Sequence, residues 1–261
     1  MTFANGGGEI IAAKPTFLAM MNFAEQWGAK ISWVPVGKDK AYDLNAINNR
    51  INTNTKIVFL CNPNNPTGTV VGKESLIDFC SSASKKTIIF SDEAYYDFIQ
   101  TPNYPSMDSL VREGKNVIVS KTFSKVYGLA GFRIGYLIAP SHLSRVIRKN
   151  IVAMTNVLAI AAADKALDDK EFYNFSLNKI IQGRKIITTT LDKIGLKYTP
   201  SNTNFVFFHS NRHIDDLGKQ MLEQGVKIGR PFPPFYNWCR ISIGTLEETK
   251  IFANALENIY S

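Results

Sequence analysis

Short apolar runs recur through the first half of the chain, at Glu9 to Ala12, Ile31 to Val36, Ile57 to Leu60, Thr87 to Phe90 and Val117 to Ser120. They are continuous rather than alternating, which is the pattern of strands buried on both faces. Helical periodicity fills the gaps. In Thr16 to Trp27, Thr16 is placed to cap the helix, Phe17, Met20, Ala24 and Trp27 recur on one face, and Gly28 ends it. Leu44 to Ile51 and Glu74 to Ser84 read the same way. Strands alternating with helices imply right-handed parallel crossovers, so the expected fold class is α/β with a mostly parallel, doubly wound sheet. Ligands of such sheets bind beyond the carboxyl ends of the strands, and the loops that follow the apolar runs are where chemistry belongs.

After Pro140 the pattern changes to a long helical region reaching Leu191, with a polar interruption from Asp168 to Lys170. Apolar runs follow at Phe205 to Phe208, Val226 to Gly229 and Ile241 to Ile243, with helices expected at Ile214 to Glu223 and Glu247 to Ile259. The expected division is a large domain over 1–165 and a smaller α+β domain over 166–261.

At 45% hydrophobic and 20% charged residues, the composition is that of an ordinary globular protein. The net charge of +8 comes from scattered Lys and Arg, and no nucleic-acid module accompanies it. Cys61, Cys80 and Cys239 lack metal-ligand spacing and sit among apolar residues, as reduced buried thiols do, so no metal is expected. No stretch has the apolar length of a membrane span, and no signal-peptide layout opens the chain. A cytoplasmic protein is expected.

The segment from Ser120 to Gly135 follows a buried run and gathers hydroxyls, Lys121, Lys125, glycines and Arg133 on one connection. Such a loop suits a phosphate and an aldehyde, because a lysine whose charge is suppressed by burial forms an imine. Either Lys121 or Lys125 can serve. Upstream, Asp92 ends another buried run with Tyr95 three residues later, and Leu60-Cys-Asn-Pro-Asn-Asn65-Pro-Thr-Gly68 places a turn at the end of a third. Arg240 stands immediately before an apolar run, a position that favours contact with an anion.

Taken together, Thr122-Phe-Ser124-Lys125-Val-Tyr-Gly-Leu-Ala-Gly-Phe-Arg133-Ile-Gly, Asp92-Glu-Ala-Tyr95 and Asn62-Pro-Asn-Asn65-Pro-Thr-Gly resemble the motifs of class I/II aminotransferases, fold type I enzymes that use pyridoxal 5′-phosphate. The resemblance selects Lys125 as the residue that binds the cofactor aldehyde and then moves the proton at the substrate's α-carbon. It makes Asp92 the partner of the pyridine nitrogen, and Tyr95 and Asn65 donors to the 3′ oxygen. Thr122, Ser124 and Arg133 match positions that grip the phosphate, and Phe17 the position that stacks on the ring. Arg240 matches the arginine for the substrate carboxylate, or for a phosphate in the histidinol-phosphate branch. Arg230 resembles a second anion-binding arginine of that branch, and Asn204 a position lining the same pocket.

The implied activity moves an amino group between an amino acid, or a histidinol-phosphate-like amine, and a 2-oxo acid acceptor, within a homodimer. A decarboxylase or carbon–sulfur lyase with the same cofactor is the alternative chemistry, and a non-catalytic fragment the alternative class. Family members carry a further segment ahead of the residues that Met1 to Gly8 resemble, so the chain is expected to be N-terminally shortened.

Overall fold

The computed structural model describes residues 2–261. One sheet contains six strands, β1 (Glu9–Lys14), β2 (Lys30–Pro35), β3 (Thr55–Cys61), β4 (Ile88–Asp92), β5 (Val117–Thr122) and β6 (Gly135–Ile138). Their spatial order is β2-β1-β3-β4-β5-β6. The first five are mutually parallel and β6 runs antiparallel on β5. The chain leaves β1 for β2 on one side and returns to β3 on the other, so a crevice opens beyond the carboxyl ends of β1 and β3. The continuous apolar runs are explained by burial, since Ile11, Val58, Phe59, Leu60, Ile89 and Val119 have no exposed surface.

Strand β6 was not among the expected elements. Its first residue, Gly135, lies so close to β5 that a Cβ there would sit 2.6 Å from the Lys121 carbonyl oxygen. Only glycine permits that approach, and in the sequence the same glycine reads as a loop residue.

The first helix also differs from expectation. It spans Ala19–Gln26 with Leu18 at its N-cap, and it buries Met21 and Ala24. Phe17, Met20 and Trp27 are exposed, so the buried face is rotated from the expected one. Thr16 does not cap it, because its hydroxyl is engaged by Tyr42 and Asn64 at 2.7 and 2.9 Å. Helices at Leu44–Arg50 and Lys73–Ala83 lie where periodicity placed them.

Beyond β6, helices span Ser141–Lys149, Val157–Asp168 and Lys170–Lys193. The last begins where the Asp169 carboxylate accepts the Phe172 N–H at 2.9 Å, a side-chain cap that marks the polar interruption. Strands β7 (Phe205–His209) and β8 (Trp238–Ser242) form an antiparallel pair, flanked by helices Ile214–Glu223 and Leu246–Tyr260. Leu191, Val206, Phe208, Leu217 and Leu256 centre a second apolar core there. The strand expected at Val226–Gly229 does not form. Its first N–H is bonded to the Met221 carbonyl at 2.9 Å, closing the preceding helix instead of joining a ladder.

Tyr95 meets Phe205 edge to face, with ring centroids 5.3 Å apart, and Phe98 and Val126 join them in a small cluster between the two cores. Next to it, at the end of β4, the buried Glu93 carboxylate accepts from Met107 N–H at 2.8 Å and Ser106 Oγ at 2.7 Å, and pairs with Lys121 at 2.7 Å. Removing one member of so enclosed a pair strands the other. Glu93→Ala is therefore expected to lower unfolding free energy by about 3 kcal/mol, read from urea unfolding.

Candidate active site

A cavity of about 290 Å³ lies beyond the carboxyl ends of β3, β4 and β5. Strand register builds its base. Cys61, Asp92 and Ser120 occupy matched positions on the three strands, so their side chains arrive at one level. The β1 loop adds Phe17, the β3 loop Asn65, and the turn after β4 Tyr95. Thr122, Ser124, Lys125 and Arg133 enter from the connection after β5. Every residue expected to hold a cofactor therefore lines one space, although the chain separates them widely.

Asp92 is 9% exposed. Its Oδ1 accepts from Ala94 N–H and Ser120 Oγ, both at 3.1 Å, whereas Oδ2 has no hydrogen bond among the described residues. Burial raises its pKa above the usual carboxylate value, opposed by those two donors. A cation at this point would restore the charge.

Lys125 carries the opposite perturbation. Burial lowers its pKa, the positive charge of Arg240 adds to the effect, and Asp92 opposes it. Its Nζ lies 5.1 Å from the centre of the Tyr95 ring. Lys121 lines the same cavity, but its ammonium is paired with Glu93 and lies 3.8 Å from the Tyr96 ring centre. Of the two lysines only Lys125 lacks a carboxylate partner within ion-pair distance among the described residues, which favours it as a free amine.

Arg133 has a left-handed backbone, with φ 53°, and its guanidinium donates to Ala130 O at 2.9 Å and Ser124 Oγ at 3.3 Å. Thr122 Oγ1 accepts the Ser124 N–H at 3.1 Å, so hydroxyls and guanidinium share one turn. An arginine fork beside two hydroxyls suits phosphate oxygens.

A flat aromatic aldehyde bearing a phosphate and a ring nitrogen asks for these groups: an unpaired amine, an anion, a cationic end and an aromatic wall. The cavity contains all four. Burial raises the Tyr95 phenol above its usual pKa, keeping it a proton donor. The Asn65 amide is fixed by Arg240, whose Nη1 donates to Asn65 Oδ1 at 2.6 Å, which leaves the amide nitrogen as the donor for a ligand.

Arg240 stands beside the cavity rather than in its lining. Its guanidinium carbon is 5.0 Å from the centres of both Phe205 and Phe232, and its buried Nε has no hydrogen-bond partner among the described residues. Arg230 lies 4.5 Å from the Phe232 ring centre and lines a neighbouring cleft with Thr16 and Trp33. Asn204, expected to line the same pocket, does not line this cavity; its carbonyl accepts the Ile243 N–H at 2.9 Å, which holds it in the turn entering β7.

Cys61 and Ser120 were not anticipated as lining residues. Ser120 is legible only once β5 is registered against β4, and Cys61 reads in sequence as an inert core thiol. Its pKa is indeed pushed well up, by burial first and then by Asp92. All three cysteines are free and buried.

The family model for aminotransferase class I and II matches residues 1–256. The histidinol-phosphate aminotransferase of Halalkalibacterium halodurans is 36% identical over 260 residues, covering 98% of this chain and 70% of that protein. That of Moorella thermoacetica is 36% identical over 262 residues, covering 99% of this chain and 67% of its own length. Among solved structures, histidinol-phosphate aminotransferase from Sinorhizobium meliloti in complex with pyridoxal-5′-phosphate aligns with a TM-score of 0.88 at 26% identity, over 98% of this chain and 71% of that one. The chain belongs to the class I and II aminotransferase family.

Proposed function

We propose that the chain is a pyridoxal-phosphate-dependent aminotransferase of the histidinol-phosphate-like branch, exchanging an amino group between an amino acid or a histidinol-phosphate-like amine and a 2-oxo acid such as 2-oxoglutarate. The observation that carries the reading is the meeting of Lys125 and Asp92 in one cavity, each with its charge disfavoured by burial.

When bound, the cofactor supplies an aldehyde that captures amines and a protonated ring that takes up the electron pair left at the substrate's α-carbon. Asp92 would hold the proton on that ring and, beside a cation, would itself stay ionised despite its burial. Lys125 would hold the cofactor through its amine, and the same amine would be the base placed to carry the substrate's α-proton. Tyr95 and Asn65 donate to the 3′ oxygen, Phe17 covers a ring face, and Thr122, Ser124 and Arg133 bind the phosphate.

Arg240 meets the substrate's anion. Its Nε, unpartnered among the described residues, and its enclosure by Phe205 and Phe232 leave a buried guanidinium suited to a negative group. Arg230, across Phe232, supplies a second positive charge, which suits a phosphate better than a carboxylate alone. Asn204 is assigned to the substrate side by resemblance alone, since its place is the turn entering β7, outside the cavity lining.

Residues 1–165 and 166–261 form the large and small domains of this reading; the cavity lining comes from the large domain, and Arg240 of the small domain stands beside it. A homodimer is supported by the apolar side chains left in solvent at Val152, Met154, Val157 and Leu158, exposed by 100%, 95%, 72% and 71%. No helix among the described residues is long and apolar enough to cross a membrane, and a cytoplasmic enzyme is consistent with three free thiols.

The test supplies pyridoxal phosphate with candidate amines, with and without 2-oxoglutarate, and identifies the products. Transamination requires the keto acid and yields glutamate. Release of carbon dioxide or a thiol without it would replace this reading by a decarboxylase or lyase, and a preparation that stays colourless with the cofactor would reject it. Borohydride should fix the cofactor on Lys125, and Lys125→Ala should abolish the bound-cofactor absorbance that Lys121→Ala retains. Asp92→Asn is expected to bind cofactor yet lose at least about a hundredfold in kcat, measured at saturating cofactor.

A further inference from the structure

The mechanism leaves one buried polar centre unused. Tyr42 is 7% exposed, and its phenol oxygen meets Thr16 Oγ1 at 2.7 Å, Asn64 Oδ1 at 3.1 Å and the Cys61 N–H at 3.0 Å. Thr16 Oγ1 also lies 2.9 Å from Asn64 Oδ1. Two hydroxyl hydrogens thus serve three contacts, so one hydroxyl donates to the amide oxygen and the other to its neighbouring hydroxyl. The Cys61 N–H occupies a lone pair of the phenol.

The network then closes on itself. Asn64 Nδ2 donates to Pro15 O at 3.1 Å and to Thr67 Oγ1 at 2.9 Å. Thr67 meets Thr69 at 2.8 Å, and Thr69 donates at 2.9 Å to the carbonyl of Lys40, two residues before Tyr42. Asn64 and Thr67 are 2% and 0% exposed, which excludes bulk water as a substitute partner.

What the phenol holds is the frame of the cavity. Thr16 precedes Phe17, Asn64 precedes Asn65, and Cys61 itself lines the space. One side chain therefore fixes the loop after β1 against the end of β3, setting the distance between the aromatic wall and the amide donor.

We propose that Tyr42 is a positioning residue for cofactor recognition, acting through Thr16 and Asn64 on the placement of Phe17 and Asn65. The proposal rests on the cofactor reading above. Removing the hydroxyl leaves the buried Cys61 N–H without an acceptor and lets the two loops separate, while every group expected to touch the cofactor remains. A donor on the cofactor's 3′ oxygen favours its unprotonated form, so a displaced Asn65 raises the pH at which bound-cofactor absorbance titrates.

The experiment titrates wild type, Tyr42→Phe, Thr16→Val and the double variant with pyridoxal phosphate, reading tryptophan quenching for affinity and absorbance against pH for the midpoint, with circular dichroism as the folding control. Tyr42→Phe is expected to bind about tenfold more weakly, in line with one lost buried hydrogen bond, and to titrate at higher pH. Thr16→Val should shift both in the same direction, and the double variant should be little worse than Tyr42→Phe alone, because one network is being broken. Wild-type affinity and midpoint in Tyr42→Phe, or losses that multiply in the double variant, overturn the proposal. Should Tyr42→Phe fail to fold, unchanged binding and midpoint in Thr16→Val overturn it. Failure of the wild type to bind the cofactor rejects the functional reading instead, so the two failures are distinguishable.

Discussion

A carboxylate at the end of a central strand is the constraint around which this molecule is arranged. Burial of Asp92 raises its pKa, and the protein supplies two hydrogen bonds and no adjacent cation within ion-pair distance among the described residues. In isolation that is an unfavourable place for a charge. It would become favourable if a cationic group of a ligand completed the pair. The parallel sheet makes this possible, because register on β3, β4 and β5 brings Cys61, Asp92 and Ser120 to one level without any loop having to be strained.

The second organising contact joins the two apolar cores. Arg240 comes from β8 and Asn65 from the loop after β3, and their 2.6 Å hydrogen bond runs between bodies with separate cores. Thr199 Oγ1 donates at 2.5 Å to Thr67 O, and Asn202 N–H donates to Gly68 O at 2.8 Å, in the same turn. The loop that presents Asn65 is thus held from both sides. Arg240 and Asn65 share a hydrogen bond, so displacement of one side chain is felt at the other.

Much of this was legible in the residues. The continuous apolar runs located β1 to β5, and the motifs around Asn65, Asp92 and Lys125 named side chains that the fold does gather in one cavity. What escaped the sequence depends on distant neighbours. Thr16 has the chemistry of a helix cap, yet Tyr42 and Asn64 hold it elsewhere. Ser120 acquires its contact with Asp92 only through strand register. Lys121 and Lys125 are alike in isolation, and it is Glu93 that separates them. The run Val226–Gly229 forms no strand for the same reason, since a strand needs a partner edge that no local pattern reveals.

Strand β6 has β5 on one side and, among the described residues, no strand on the other. Tyr136 and Leu137 are 45% and 46% exposed along it, with neither charge nor proline to blunt the outer rim. The backbone donors and acceptors on that rim have no ladder partner among the described residues. By sheet geometry, such a rim is where a further extended segment would find ladder partners.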